Sequence, residues 1–501
     1  MRRLLRPTVV VSGLAFGGQL VSLALQVLVA SLFGARAEMD AYLAAFALPA
    51  YVSAVLTGGL GYVFVPLFVD ARIRLNEREA WRVASTLITV YVLAVGSISV
   101  AGIWLAQPLL RLTVPGLPEP TLVLATRLAR ILWPSVLLGG LVALWSGLYQ
   151  AYERFTWPAL SPVAGALVIL GVVAAFGRRE GISALAVGTL FGSVAQTLLL
   201  VPILRGRFRP VMGMNDDRVR EAFYLVLPLM LGALASQASR LIDRYVGSSL
   251  PMGSIAYLGY GEKITTLAAT VLSGGIATTL FPALARQSSA SDATGLYNTM
   301  ASGIRFTWLV VAPAVALGVA LASPLVGSFL QRGAFRAEDT QAVASVLPWY
   351  LCALIGMTWG NMTARTFYAL KDTRTMSFIA VVEVALYAVY TPWLAHQFGV
   401  LGVAYAVGFY WNASLLAQCI LLWFRLGRPS LERDAQAVAS MGLCAGTAGA
   451  AAYLSSIVTP GPPFAVLGVG TAVGLSTYLL GLHVLKIGEW RRLLNLARKA
   501  P

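Results

Sequence analysis

The feature that most constrains this chain is a succession of apolar runs, each about twenty residues or longer, separated by short charged or Gly/Pro-rich breaks. A run of that length, wound as an α-helix, matches the hydrocarbon thickness of a bilayer. The pattern predicts helices near 9–32, 40–69, 83–108, 121–150, 157–176 and 182–204, and again near 221–248, 254–286, 303–330, 339–369, 377–397 and 400–424. Two more follow near 436–457 and 464–485. Basic connectors, Arg205 to Arg220 and Arg425 to Asp434, set the groups apart. The composition leaves few alternatives. The 501 residues are 58% hydrophobic and 12% charged, with mean hydropathy +0.76. A water-exposed surface needs about 25% charge. Lipid is therefore the main solvent.

The start, Met1-Arg2-Arg3-Leu4-Leu5-Arg6, resembles the charged end of a signal peptide. The apolar run behind it reaches about Leu32 with no small-residue cleavage site, so it is read as the first spanning helix. Net charge is +16, from 37 Lys+Arg against 21 Asp+Glu. With the amino terminus in the cytosol, inner loops and tails carry about 25 of the cations. The outer loops carry about six, Arg36, Arg111, Arg178, Arg179, Arg332 and Arg336. That bias places both termini in the cytosol, with the basic tail of Arg491, Arg492, Arg498 and Lys499 on the inner membrane surface. No basic, aromatic-interleaved domain exists for nucleic acid. Cys352, Cys419 and Cys444 are widely spaced in apolar segments and read as small core residues rather than a disulfide framework or zinc site.

The chain also repeats itself. Val55-Leu56-Thr57-Gly58-Gly59-Leu60 returns as Val271-Leu272-Ser273-Gly274-Gly275-Ile276, and Pro66 and Pro282 keep the same offset of 216 residues. Pro134 matches Pro348, and the Tyr149-Gln150-Ala151 region matches Phe367-Tyr368-Ala369. Six helices followed by six similar ones form a parallel repeat, because an even number per unit preserves orientation. The expected fold is an all-α integral membrane protein of about 14 transmembrane helices. Two parallel six-helix lobes enclose a central cavity, and two extra C-terminal helices follow. The domains are 1–217, 218–430 and, with the cytosolic tail, 431–501.

Charges inside spanning helices cost roughly 2.5–3.5 kcal/mol each on insertion scales and so need a reason. Arg240, Asp243 and Arg244 share one helix face, at i, i+3 and i+4. Glu262 and Lys263 follow in the next helix, then Arg365, and Glu383 in a later one. Asp40 opens the second helix, while Arg127 and Arg130 read as end-of-helix residues. Lys263, Arg240, Arg244 and Arg365 suit a phosphate or pyrophosphate, since arginine binds such groups bidentately and lysine acts as a point charge. The competing reading is a set of buried ion pairs, with Asp243 beside Arg240 or Arg244. Asp40, Asp243, Glu262 and Glu383 are the candidates for coupling an ion or pairing these charges. Gly58-Gly59, Gly274-Gly275, Pro66 and Pro282 read first as close-packing positions and second as hinges.

No Gly-Lys pair occurs, so no Walker A loop is present. His396 and His483 form no metal motif, and no nucleophile–base pair stands out. The expectation is a transporter without catalytic residues, metal or cofactor, driven by Na+, H+ or membrane potential.

Ser31-Leu32-Phe33-Gly34-Ala35, Asp40-Ala41-Tyr42, Phe46-Ala47-Leu48-Pro49, Phe64-Val65-Pro66 and Pro115-Gly116 resemble the MurJ/MviN family of lipid II flippases. In the second half so do Leu225-Val226-Leu227-Pro228, Gln331-Arg332-Gly333-Ala334-Phe335 and the run from Arg365-Thr366-Phe367-Tyr368-Ala369 through Leu370-Lys371-Asp372-Thr373. The resemblance implies the multidrug/oligosaccharidyl-lipid/polysaccharide transporter fold. It also implies that an undecaprenyl-pyrophosphate-linked saccharide, lipid II first among them, crosses a bacterial cytoplasmic membrane by alternating access. The headgroup would enter the cavity while the lipid tail trails in the bilayer or a side groove. Membrane lipids and cell-wall synthesis enzymes are the implied partners of a monomer. The family's cavity arginines in helices one and two are absent from the matching stretches, which hold Gln19, Gln26 and Tyr51-Val52-Ser53-Ala54. Its Asp-Arg in helix eight stands here as Glu262-Lys263. Alternatives are an exopolysaccharide or O-antigen precursor flippase, a non-transporting lipid-precursor binder and a small-molecule antiporter.

Overall fold

The computed structural model describes residues 2–211, 217–289, 292–370, 372–427 and 432–492. Arg498 and Lys499 of the basic tail, and the side chains of the Ser273–Ile276 and Pro282 repeat positions, lie outside the described residues. Among the described residues, every regular element is a helix. In chain order they are α1 (Arg2–Phe33), α2 (Ala37–Arg74), α3 (Glu77–Trp104), α4 (Ala106–Thr113), α5 (Glu119–Leu132), α6 (Pro134–Ala151), α7 (Thr156–Glu180), α8 (Ser183–Leu200) and α9 (Asp217–Ser248). Then come α10 (Ser254–Ser289), α11 (Ala293–Ala320), α12 (Ala322–Leu330), α13 (Ala337–Ala369), α14 (Thr373–Phe398), α15 (Val400–Arg425), α16 (Glu432–Val458) and α17 (Pro463–Val484). Twelve spans among the described residues are long and apolar enough to cross a membrane. The 32-residue α9 and 36-residue α10 lie where the seventh and eighth helices of the expected set fall and are not among those twelve.

Three helices, α3, α11 and α14, start at a side chain that accepts from their free N–H groups. Asn76 accepts from the Glu79 amide at 2.9 Å, Asp292 from Gly295 at 2.8 Å and Asp372 from Thr375 at 3.2 Å. Asp372 also pairs with Arg425 at 2.7 Å, tying the start of α14 to the end of α15. The Thr375 hydroxyl first, then its amide and Arg425, holds the Asp372 carboxyl below the ordinary carboxylate range. The repeat-related Pro134 and Pro348 act differently. Pro134 opens α6 after a break at Trp133, whereas Pro348 sits inside an unbroken α13. A proline at the first helical position costs nothing, since that N–H has no partner anyway.

The chain divides into two compact units. The first comprises residues 1–256 with 333–335; the second comprises 257–332 with 336–501. In the first, α2 packs on α5, α6 and α9, while α7 packs on α1 and α8. Phe68, Leu128, Leu132, Leu144, Leu148 and Leu200 are its fully buried centre. In the second, α13 packs on α11 and α15, and α16 and α17 pack on each other and on α11. Large apolar side chains such as Phe378, Val389 and Trp393 lie bare on the outside of α14. An apolar surface of this kind fits lipid, not water.

Two of the sequence's most distinctive pieces meet in the first unit. The Ala334 amide donates to the Ser31 carbonyl at 2.8 Å. Gly34 and Gly333 both hold positive φ, 60° and 58°. A Cβ on Gly34 would lie 2.6 Å from the Ala334 oxygen, and one on Gly333 would lie 2.3 Å from the Ser31 oxygen. Both positions therefore need glycine twice over, for backbone angle and for space. The basic connector is held too: Arg207 lies over the Tyr152 and Trp81 rings at 5.1 and 5.8 Å, and the Arg209 amide donates to Ser85 Oγ at 3.3 Å.

Close helix contact in the second unit depends on Gly356. A Cβ there would fall 2.3 Å from the Trp411 carbonyl oxygen, which belongs to the backbone of α15 and cannot swing aside. Gly356→Ala is expected to destabilise the protein by about 1–3 kcal/mol through overpacking. Thermal unfolding of the purified variant in detergent checks this, and an unchanged midpoint would remove the close-packing account.

Candidate functional site: membrane-embedded charges and an apolar groove

Asp40 stands in the first turn of α2 and is 3% exposed. Its Oδ2 accepts from the Gly253 amide at 2.6 Å and its Oδ1 from the Ala256 amide at 2.7 Å. The carboxylate thus sits at the start of two helices, α2 and α10, where free N–H groups and the helix dipole favour a negative charge. Arg244, on α9, acts on it electrostatically and donates to the Ile255 carbonyl at 3.4 Å. Asp243 and Arg244 are each 9% exposed. Asp40 and Arg244 together fasten the start of α10 within the first unit.

Arg240, one turn earlier on α9, is exposed and donates to Gln237 Oε1 at 2.7 Å. Helices α2 and α9 are also joined by the Tyr51 hydroxyl, which donates to the Leu234 carbonyl at 3.0 Å. Arg127 and Arg130 lie on the exposed face of α5, and Arg130 is in its last turn, where a cation meets the negative end of the dipole. In the second unit Glu262 is half-buried and Lys263, beside it on α10, is exposed, with Glu262 the charge that acts on it. Arg365 on α13 donates its Nε–H to Asn361 Oδ1 at 2.9 Å. Glu383 on α14 takes a hydrogen bond from Ser414 of α15. The structure brings together Asp40 with Arg244, and Glu262 with Lys263.

Several contributors were not singled out in the sequence. Gln237 and Asn361 orient Arg240 and Arg365 from positions i−3 and i−4, a spacing that could have exposed them. A second set gave no local signal. Arg305 of α11 pairs with Asp434 at the start of α16 and, at 2.6 Å, with Glu489 just beyond α17. Tyr297 also donates to Asp434, at 2.6 Å.

The second unit carries an apolar groove of about 530 Å³, lined by Leu309, Pro313 and Leu317 of α11 and by Leu467, Leu475 and Tyr478 of α17. Such a lining offers nothing to a sugar and suits a hydrocarbon chain. Among the described residues no group of three or more His, Cys, Asp or Glu could hold a metal ion. What the site residues can do chemically is bind anions and hold charge inside the membrane.

The sequence profile of the family described as Lipid II flippase MurJ matches residues 29–468. The chain belongs to the MurJ lipid II flippase family. It is 26% identical over 390 residues to a Lipid II flippase MurJ of Burkholderia cenocepacia, covering 75% of this chain and 76% of that one. A Probable lipid II flippase MurJ of Buchnera aphidicola is 25% identical over 409 residues, covering 80% of each chain. In fold, the chain resembles a solved Lipid II flippase MurJ in an inward closed conformation. The TM-score is 0.84 at 22% identity, over 97% of this chain and all of that one. A multidrug resistance MATE family transporter of the MOP superfamily matches with TM-score 0.70 at 16% identity, over 83% of this chain and 98% of that one. The transporter fold that the resemblance implied is therefore the one present. Membership of this family makes the chain a transporter rather than an enzyme.

Proposed function

We propose that this protein moves lipid II, an undecaprenyl-pyrophosphate-linked saccharide, across the bacterial cytoplasmic membrane for peptidoglycan synthesis, by alternating access. The match to the flippase family across residues 29–468 carries this reading. Lys263 is the leading contact for the pyrophosphate, because it is an exposed cation on a membrane helix, with Glu262 the one charge acting on it among the described residues. Arg365 in the second unit and Arg240 in the first, each oriented by a neighbouring amide side chain, are anion-binding candidates within their own units, while Arg244 acts mainly through Asp40. The groove between α11 and α17 accommodates the lipid chain. Both termini face the cytosol, as the uneven distribution of arginines implies. The cycle draws on an ion gradient or the membrane potential.

Complementation tests this reading. Expressed in a bacterium depleted of its own lipid II flippase, the protein is expected to restore growth. Lys263→Ala is expected to lower rescue at least tenfold at equal membrane abundance, while Lys263→Arg keeps the charge and most of the activity. No rescue by a correctly inserted wild-type protein would contradict the reading. Equal rescue by Lys263→Ala would remove Lys263 from it.

A further inference from the structure

One carboxyl of the second unit lies among membrane-spanning helices without a counter-charge among the described residues. Glu383 Oε1 is buried and has no hydrogen-bond partner among the described residues. The same side chain takes a hydrogen bond from Ser414. Ser414 is the start of a row. Gln418 Nε2 lies 3.1 Å from Ser414 Oγ, and Thr363 Oγ1 lies 2.6 Å from Gln418 Oε1. Ser414, Gln418 and Thr363 are 8%, 5% and 0% exposed. Glu383–Ser414–Gln418–Thr363 thus runs from α14 through α15 to α13.

The donor count gives this row a direction. Thr363 donates to Gln418, Gln418 donates to Ser414, and Ser414 keeps one proton for Glu383. All three bonds point toward the carboxyl, as an ionised Glu383 requires. The opposite polarity is equally complete. A protonated Glu383 donates to Ser414, Ser414 donates to the Gln418 oxygen after the amide turns over, and the Gln418 nitrogen donates to Thr363. Thr363 then gives its own proton to the Gly360 carbonyl at 3.1 Å or the Trp359 carbonyl at 3.4 Å. Ser414, Gln418 and Thr363 keep their bonds to one another in both states, so the row can reverse without breaking its own links.

The surroundings favour a proton over other partners. The helices packed on α14 are α13 and α15. Their titratable groups are Asp339, Tyr350, Cys352, Arg365 and Tyr368 on α13, and Tyr405, Tyr410, Cys419 and Arg425 on α15. Glu338 is on α13 too, and α14 itself adds Arg374, Tyr387, Tyr390 and His396. Among the described residues, none of these makes an ion pair with Glu383 or acts on it electrostatically. A metal cation would need several free oxygens, whereas the row's hydroxyl and amide oxygens are already engaged. A charged carboxylate is costly in the membrane interior, and a proton removes the charge.

We propose that Glu383 is a reversible proton-binding site, and that the row to Thr363 reverses its polarity when the proton binds. The proton adds to a carboxylate oxygen and leaves by the same bond. Protonation of one residue on α14 is thereby registered on α13 and α15. Its place in a transport cycle rests on the flippase reading; the titration itself does not.

The test is infrared difference spectroscopy of the purified full-length protein in lipid nanodiscs, recorded through a pH titration. A protonated-carboxyl C=O band is expected to grow as pH falls and to be missing from Glu383→Gln. In Ser414→Ala, which keeps the carboxyl but removes its donor, the band is expected to move to higher frequency. That second variant carries the test if Glu383→Gln does not fold. A set of spectra with no such band, or a band that neither variant changes, would overturn the proposal. A band displaced by Na+ at constant pH would replace the proton with a metal cation. Vesicle assays separate the two readings. Lipid II movement without a titrating Glu383 band defeats the proton site alone, and a titrating band without lipid II movement defeats the flippase reading alone.

Discussion

Replacing Arg305 with Ala is expected to destabilise the protein by about 3–5 kcal/mol, the cost of breaking a buried ion cluster from one side. Arg305 is 14% exposed at its side chain, Asp434 21% and Glu489 9%. Without the guanidinium, two carboxylates remain partly buried with no cation between them. Tyr297 still donates to Asp434 but brings no charge. The cluster joins α11 to the beginning of α16 and to the segment after α17, so the C-terminal pair of helices should loosen first. Its removal would also disturb the α11–α17 groove. A charge-free triple variant, Arg305→Met with Asp434→Leu and Glu489→Met, is expected to recover most of the loss, because an apolar set has no desolvation penalty to overcome. Denaturant unfolding in detergent, followed by tryptophan fluorescence, measures both. A neutral Arg305→Ala would show that the cluster contributes nothing to holding these helices.

A comparable loss, again about 3–5 kcal/mol, is expected for Asp40→Ala. Two buried N–H groups, those of Gly253 and Ala256, would lose their acceptor, and Arg244 would lose the carboxylate it faces. Asp40→Asn separates these effects. The amide keeps one oxygen for one N–H but turns an NH2 toward the other, so it should fall between wild type and Ala. The same unfolding measurement ranks the three proteins. If Asn matched wild type, the negative charge would have no part in holding α10, and the hydrogen-bond shape alone would explain the position.

The helices were legible in the sequence because lipid imposes one rule on every segment. Apolar runs of spanning length must bond their own backbone, and charged breaks mark where they stop. Asn76, Asp292 and Asp372 sharpen those breaks as caps. Individual roles were less legible. Asp40 reads from sequence as an isolated charge near a helix start, yet its donors lie 213 and 216 residues away. Arg305 finds its partners 129 and 184 residues away, at helix ends where a lone charge looks like ordinary surface. Thr363 and Ser414 look like tolerated hydroxyls on apolar helices, since such groups commonly bond their own backbone. The row to Glu383 exists because folding aligns three helices at one level. Sequence spacing reports neighbours within a helix; it does not report which helices meet.

Translocation by the purified protein tests the central claim most directly. Lipid II with a labelled headgroup would be placed in one leaflet of vesicles containing the protein, and its appearance in the other leaflet timed. Transfer is expected to depend on the protein, to exceed that in protein-free vesicles, and to fall with Lys263→Ala. Vesicles holding folded protein that move lipid II no faster than protein-free ones would contradict the account.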